Sequence, residues 1–320
     1  MKEEIRRLGL KLGLDGVGFA APVLPPAGRR FSTWLDSGYG AGMAYLHRTR
    51  DLRLCPEKFF PDVKTVLAVI LNYYNPEPAD VQRGAEGRIS PDTPVGRDAR
   101  ISRYAWGRDY HKTLTRRLQR YLEEIQRRFP DAKGRVAVDT APVMDKLWAE
   151  AAGLGWQGRH TNLITRNYGS WVFIGTLWLN IELPPDPAHS NYCGSCTKCL
   201  DACPTGALIS PNLLDARRCI SYWNVEHRGP FGKETPPFDR WLYGCDVCQE
   251  VCPWNRFSTP ASESDFLPRS SLLKMELKSW AGLNDAEYEK LTRGSAMRRA
   301  KQEGLRRNAC WLGKTKGERD

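Results

Sequence analysis

Ile5, Leu8 and Leu12 recur at helical spacing directly after Met1-Lys2-Glu3-Glu4, so the chain opens on a short amphipathic helix. Thr65-Val66-Leu67-Ala68-Val69-Ile70-Leu71 is an unbroken apolar run, rich in β-branched residues and bounded by turn residues, which predicts a buried strand. Leu114, Leu118, Tyr121, Leu122, Ile125 and Phe129 return every three or four residues, with Arg116, Arg117, Arg120, Arg127 and Arg128 between them. That pattern is a helix with a basic outer face. A second strand is predicted over 135–139, after which Pro142 sits where the first turn of a helix tolerates proline and Gly153 is placed to end it. A third strand candidate spans 171–183 and closes on Pro184-Pro185. Strand, helix, strand order predicts an α/β domain over residues 1–185.

Pro184-Pro185-Asp186-Pro187 reads as a linker. A cysteine-rich segment follows over 186–260, and from 261 to 320 the chain is charged and helix-like, with Leu272, Leu273, Leu277 and Trp280. The expected class is therefore α+β or α/β: an N-terminal α/β domain, a small cysteine-bound domain and a short helical C-terminal segment. No repeat of solenoid period and no low-complexity tract is present, and Lys314 to Asp320 has little to bury and should fray.

Composition narrows the function. With 41% hydrophobic and 27% charged residues the chain is ordinary for a globular protein, and no apolar run approaches the roughly 18 residues of a membrane span. The N-terminus lacks the continuous apolar stretch of a signal peptide, so a cytoplasmic location is expected. The net charge of +11 is concentrated in two places. One runs from Lys290 to Lys316 and includes Arg298, Arg299, Lys301, Arg306 and Arg307 against the single acid Glu303. The other is Arg97, Arg100, Arg103, Arg108, Lys112, Arg116, Arg117 and Arg120 against Asp98 and Asp109. Either could be a solvated helix face; together they favour a nucleic acid partner.

Eight of the ten cysteines fall within sixty residues, and without an export signal they point to metal or redox chemistry, not a disulfide framework. Cys193-x2-Cys196-x2-Cys199-x3-Cys203-Pro204 has the spacing of the bacterial ferredoxin run, in which three cysteines hold one 4Fe-4S cluster and the fourth reaches a second. Cys245-x2-Cys248-x3-Cys252-Pro253 is a partial second run, with Leu242 where its first cysteine would stand and Cys219 as the replacement. The crossover rule gives Cys193, Cys196, Cys199 and Cys252 to one cluster and Cys203, Cys219, Cys245 and Cys248 to the other. Two zinc sites are the competing reading, but zinc needs neither the third closely spaced cysteine nor the terminal Cys-Pro. Cys55 and Cys310 are left over as incidental thiols.

Gly153-Leu154-Gly155-Trp156-Gln157-Gly158 formally fits a dinucleotide fingerprint, yet its first glycine ends a predicted helix instead of following a strand. Asp109-Tyr110-His111 begins a pattern by which some proteins offer histidine to cobalt, but Leu114 replaces the required glycine. These segments, with Ile101 to Arg108, Val138-Asp139-Thr140-Ala141-Pro142, Arg159 to Leu163, both cysteine runs, Gly294-Ser295-Ala296 and Arg307-Asn308-Ala309, resemble the epoxyqueuosine reductase family in order from about residue 5 to 312. Asn224, Lys146 and Arg306 depart from the family's usual threonine, arginine and apolar residue. Many members continue into a C-terminal helical-repeat domain, for which this chain, ending at Asp320, has no counterpart.

The resemblance implies a cobalamin-dependent enzyme with two 4Fe-4S clusters that reduces epoxyqueuosine to queuosine at the wobble position of tRNA. It implies a cobalamin-binding N-terminal domain, a ferredoxin-like domain and an external low-potential electron donor, flavodoxin- or ferredoxin-like; a monomer without membrane contact is expected. Asp139 matches the family's Asp-Thr/Ser-x-Pro motif and becomes the proton donor, although a position just before a helix N-terminus favours its anion. Arg103, Tyr104 and Lys146 would line the pocket with Asp139, while His160, Thr161 and Asn162 would hold corrin amides or the nucleotide tail. The incomplete histidine pattern implies cobalt without a protein ligand on its lower face. Arg298, Arg299 and Lys301 would neutralise tRNA phosphates, and Tyr222, Trp223 and Trp254 would stack on a base or insulate the clusters. A reductive dehalogenase acting on organohalides and a bare electron carrier are the alternatives; the first would need an export signal, and the second would bind no corrin.

Overall fold

The computed structural model of the chain describes residues 1–76 and 99–317. Its packing forms two compact units that interleave along the chain: Met1–Asn72, Tyr110–Arg217 and Val247–Ser258 in the first, Tyr73–Asp109, Arg218–Asp246 and Thr259–Asp320 in the second. Arg97 and Asp98 of the second basic group lie outside the described residues.

The first unit is built on a four-stranded sheet, β1 (Gly16–Ala20), β2 (Thr65–Asn72), β3 (Gly134–Val138) and β4 (Val172–Leu179), in the order β1-β2-β4-β3. All three pairings are antiparallel, so this is an α+β arrangement and not a doubly wound parallel sheet. β2 lies between β1 and β4 and is buried at every position, as its unbroken apolar sequence predicts. Val66, Ala68 and Ile70 face Trp148, Ala149 and Ala152, which belong to or directly follow helix α4 (Asp145–Ala151). On the opposite face Gly175 of β4, paired with Val69, lies so close to helix α3 (Tyr110–Arg128) that a Cβ there would meet Leu118 at 2.6 Å. α1 (Lys2–Lys11) joins this face through the Tyr121 hydroxyl, which donates to the Ile5 carbonyl at 2.7 Å. Strand β1 lacks a pattern strong enough to predict, since it is short and carries two glycines, and helix α2 (Pro26–Asp36) is a further element of this unit.

Two expectations need correction. The helix after β3 begins at Asp145 instead of Pro142, because Asp139 has a left-handed φ of 34° and the following residues form turns closed by Ala141 N to Val138 O and Val143 N to Ala141 O. The proline-rich stretch is no free linker. Asp186 accepts from Arg6 at 2.8 Å, from Lys2 at 2.8 Å and from the Phe19 amide at 3.0 Å, which fixes the chain to α1 and β1.

In the second unit Arg100–Ile101 pairs in parallel with Trp241–Tyr243, and helix α5 (Lys301–Gly317) packs on that strand and on the short helix Leu277–Ala281. Its core is tied by two buried asparagines. Asn308 donates to the Asn224 and Leu242 carbonyls at 2.7 and 3.0 Å, while Asn224 donates to Trp241 and Gly244 carbonyls and accepts from the Gly244 amide. Arg307 lies over Phe231 and donates to the carbonyls of Trp223, His227 and Gly229. The Arg307-Asn308-Ala309 motif thus organises backbone. Helical structure continues through Gly317, past the point where fraying is expected.

Candidate active site

A cavity of about 700 Å³ opens in the first unit. Phe31, Trp34, Leu46, Val172, Phe173 and Ile174 give it apolar walls, and Asp139, Asp145, Lys146, Gln157, Thr161 and Asn212 supply polar groups. Such a surface suits a large, mostly apolar ligand oriented by a few polar contacts. Asp139 stands just beyond the end of β3. Its Oδ2 accepts from the Tyr110 hydroxyl at 2.6 Å and lies 2.9 Å from His111 Nε2, both side chains coming from the first turn of α3. The Tyr110 ring is fixed between Phe173, stacked at 4.1 Å and 3°, and His111 at 4.0 Å. The histidine expected from the incomplete cobalt-binding pattern therefore serves the aspartate.

The protein packed around the Asp139 carboxyl pushes it upward although its side chain is 57% exposed, but hydrogen bonds from His111 and Tyr110 and the charges of His111 and Lys146 outweigh this and hold the group below the usual carboxylate value. Asp145 behaves oppositely. Desolvation and the neighbouring Asp139 charge push it up to about 8 against the pull of Arg53 and Lys146, and its Oδ1 is buried without a hydrogen-bond partner among the described residues. Nothing in the sequence separates the two aspartates in this way, because the difference lies in which one Tyr110 and His111 reach.

Lys146 donates to Asn162 Oδ1 at 2.7 Å, and Thr161, at a φ of 68°, joins the cavity wall. His160 is 3% exposed, and burial together with the Lys146 charge lowers it to about 4, so it is neutral. Its Nδ1 accepts from the Asn162 amide at 3.2 Å, which assigns the proton to Nε2, a buried atom with no partner. Arg103 and Tyr104 belong to the second unit and are not among the cavity residues; Arg103 is buried over Trp106, its amide donating to Asp246, and Tyr104 packs on Tyr243.

The cysteines of the first expected cluster meet inside the first unit. Cys252 is buried, packs with Cys193 on Trp156 and Ile164, and has its thiol pushed up to about 11 by burial and by the proximity of Cys193, Cys199 and Cys196. Trp254 also packs on this group, and Trp156 meets Tyr192 and Trp254 edge to face. No three His, Cys, Asp or Glu side chains among the described residues close around a single ion. A cubane caps a different iron with each thiolate, so its sulfurs stand further apart than the four around one zinc. Of the other four cysteines, Cys203 and Cys248 lie in the first unit and Cys219 and Cys245 in the second. Burial raises the Cys203 thiol, but hydrogen bonds from the amides of Leu208, Thr205 and Ala207 more than offset this and favour its thiolate. Tyr222 and Trp223 are buried against each other and His227, which suits packing better than base stacking.

Among the basic candidates, Arg298 makes a bidentate pair with Glu289 at 2.7 and 2.8 Å, and Arg299 another with Glu226 at 2.6 and 2.9 Å. Lys301 is exposed and begins α5 at a left-handed φ of 58°. In the second basic group Arg100 lies over Trp241, Arg108 pairs with Asp265 and Arg117 donates to the Gly13 carbonyl, so part of that charge is structural. No helix among the described residues is long and apolar enough to cross a membrane.

Four gathered thiols and, in the same unit, a cavity carrying paired aspartates are the parts of an iron–sulfur oxidoreductase. The model of the 4Fe-4S double cluster binding domain matches residues 192–255, and that of epoxyqueuosine reductase QueG, DUF1730, matches 53–140. An epoxyqueuosine reductase of Synechocystis is 42% identical over 88% of this chain and 94% of its own length, and one of Cellulophaga algicola is 39% identical over 98% and 96%. The chain belongs to the epoxyqueuosine reductase family. Two solved structures agree in fold over 97% of this chain and 80% of theirs: an epoxyqueuosine reductase with an epoxyqueuosine-modified tRNA-Tyr stem loop, at 28% identity and a TM-score of 0.82, and the Bacillus subtilis enzyme with an aspartate catalytic loop swung out of its active site, at 28% and 0.84.

Family membership makes the chain an oxidoreductase that reduces epoxyqueuosine, with a domain for two 4Fe-4S clusters. The residues fit both the clusters and the cobalamin that the resemblance implies. Four thiols from two loops converge for one cluster, and the apolar cavity with polar groups on its wall suits a corrin rimmed by amides.

Proposed function

We propose that Asp139 is the proton donor of this reductase and that the 700 Å³ cavity is where cobalamin and the epoxide meet. Removing the epoxide oxygen consumes two electrons and two protons and leaves an alkene and water. Cobalamin, when bound, supplies low-potential electrons at the substrate carbon. The chain's own groups handle the protons. The Asp139 carboxylate is held by Tyr110 and His111, two groups able to pass it a proton, and filling the cavity excludes water and raises its affinity for one. The stacked Tyr110 ring fixes the direction in which that proton is presented. The observation that carries the reading is the doubly hydrogen-bonded Asp139 on the cavity wall, and the catalytic loop aspartate of the Bacillus subtilis relative supports it.

Thr161 and Lys146, both on the cavity wall, would contact the corrin periphery, and Asn162 holds Lys146 there; His160, Arg103 and Tyr104 are not among the cavity residues and are assigned to the pocket on the resemblance alone. Cys193, Cys196, Cys199 and Cys252 hold one cluster, and Cys203, Cys219, Cys245 and Cys248 the other; an external low-potential carrier reduces them. The segment from Arg298 to Lys301 contacts tRNA phosphate, with Lys301 presenting charge that no carboxylate among the described residues neutralises and both arginines exchanging their glutamates for phosphate. Binding of a tRNA stem loop by a relative of the same fold supports the partner.

The test is Asp139→Asn, which keeps the shape and removes the acid. Iron content, corrin absorbance and tRNA affinity should stay normal while turnover falls by about 100-fold or more. Normal turnover at saturating substrate would show that the proton comes from another group.

A further inference from the structure

Two protons are consumed in each turnover, one on the epoxide oxygen as the carbon–oxygen bond opens and one as that oxygen leaves as water. A single carboxyl group holds one. Tyr110 and His111 keep Asp139 as a carboxylate in the free protein, so it begins the cycle without a proton of its own.

Asp145 has the opposite setting. It is the first residue of α4 and lines the same cavity, and its Oδ1 is sealed from solvent with no hydrogen-bond partner among the described residues. A carboxylate left so would be costly, whereas a carboxylic acid keeps an unpartnered oxygen cheaply. The charges facing it are Asp139 from the end of β3, Arg53 from the helix Arg50–Leu54 and Lys146 from its own helix. Burial and the Asp139 charge prevail over the two cations, and the proton stays on until about pH 8.

We propose that Asp145 stores the second proton of the reaction and delivers it to the Asp139 carboxylate after Asp139 has spent its first. This rests on Asp139 being the donor. The balance counts both protons. As the cavity fills, the Asp139 carboxylate takes the first from solvent through His111 and gives it to the epoxide oxygen as the carbon–oxygen bond opens. Asp145 then loses its proton and becomes a carboxylate, Asp139 gains it and passes it to the same oxygen, which leaves as water, and Asp145 is refilled from solvent. The two electrons come from the clusters and their external reductant. Asp145 acts through Asp139 and is a positioning residue for the proton, not one that touches substrate.

Infrared difference spectroscopy of the cobalamin-loaded enzyme tests the store directly. The wild type's own pH-difference spectrum should show a protonated carboxyl band at pH 7 that disappears with a midpoint near pH 8, and Asp145→Asn should lack it. Asp139→Asn removes the like charge beside it and should move that midpoint to lower pH. In single turnover Asp145→Asn should slow product formation about tenfold or more and abolish the fall in rate above pH 8, and Asp145→Glu should restore both. Absence of the band, or an unmoved midpoint in Asp139→Asn, overturns the proposal even if Asp145→Asn fails to fold. If Asp139→Asn is inactive while Asp145→Asn keeps the wild-type rate and pH profile, the store is wrong and the donor stands. If Asp139→Asn turns over normally, the donor is wrong and the store falls with it.

Discussion

The Tyr110 hydroxyl donates to Asp139 Oδ2 at 2.6 Å from a ring stacked on Phe173, so one strand of the sheet orients the tyrosine that orients the aspartate ending another. His111 reaches the same oxygen at 2.9 Å. Both contacts favour the carboxylate, and removing either should make Asp139 easier to protonate. Tyr110→Phe keeps the stacking and loses the hydrogen bond, so the carboxyl titrates at higher pH while turnover falls by about tenfold, the kinetic equivalent of one charge-assisted bond. His111→Gln should shift the titration further, because the histidine contributes a charge as well. Carboxyl titrations followed by infrared difference against Asp139→Asn give the order, and the reverse order would reassign the principal partner.

Cys252 is 59 residues from Cys193 in sequence but beside it in space, whereas Cys203 is only four residues past Cys199 and its thiolate is held by amides of the following turn. Cys252→Ser should therefore damage the cluster of Cys193, Cys196 and Cys199, and Cys203→Ser the other one. Electron paramagnetic resonance of each reduced variant separates them. Loss of the same cluster signal in both would break the crossover assignment.

What the sequence revealed divides by the range of the interaction. β2 and α3 were legible because burial imposes a period on neighbouring residues, and the cysteine runs because ligand geometry imposes a spacing. β1 was not, since Gly18 is set by a distant neighbour: a Cβ there would stand 2.0 Å from the Ala152 carbonyl. Antiparallel pairing was equally hidden, because strand–helix–strand order does not say which strand enters between two others. At the site, Asp139 was visible through its motif, but the contrast with Asp145 depends on Tyr110 and His111, nearly thirty residues upstream of Asp139. The pairing of Arg298 with Glu289 and of Arg299 with Glu226 is of the same kind, a charge cancelled by tertiary structure that a count along the chain records as available.

Asp186 ties the segment leading to the cysteines onto α1 and β1 through Arg6, Lys2 and the Phe19 amide. Burial raises its carboxyl, but these partners prevail and hold it below the ordinary 3.8. A depressed folded value means that its contribution is fully present above that ordinary value and is lost as pH falls through the lower one. Asp186→Asn should cost about 1–2 kcal/mol at pH 7 and progressively less as the wild type is acidified, measured by denaturant midpoints. A constant difference between the two proteins from pH 7 to pH 2.5 would mean that the amide replaces the carboxylate poorly by shape and not by charge.

Lys301 and Arg298 make unequal predictions about tRNA although they are three residues apart. Arg298 and Glu289 together present no net charge, whereas Lys301 presents one at the exposed start of α5. Each phosphate neutralised contributes roughly 0.7–0.9 to the slope of log affinity against log salt. Lys301→Ala should therefore reduce that slope by about one such step and weaken binding of all tRNAs alike, since phosphate contact carries no sequence information. Removing the pair as Arg298→Ala with Glu289→Ala separates two possibilities that a single arginine change confounds by exposing the glutamate. If Arg298 turns to phosphate in the complex, the double variant loses one step of slope as Lys301→Ala does. If the pair persists, the double variant keeps the wild-type slope, and the proposed exchange of glutamate for phosphate fails at this position.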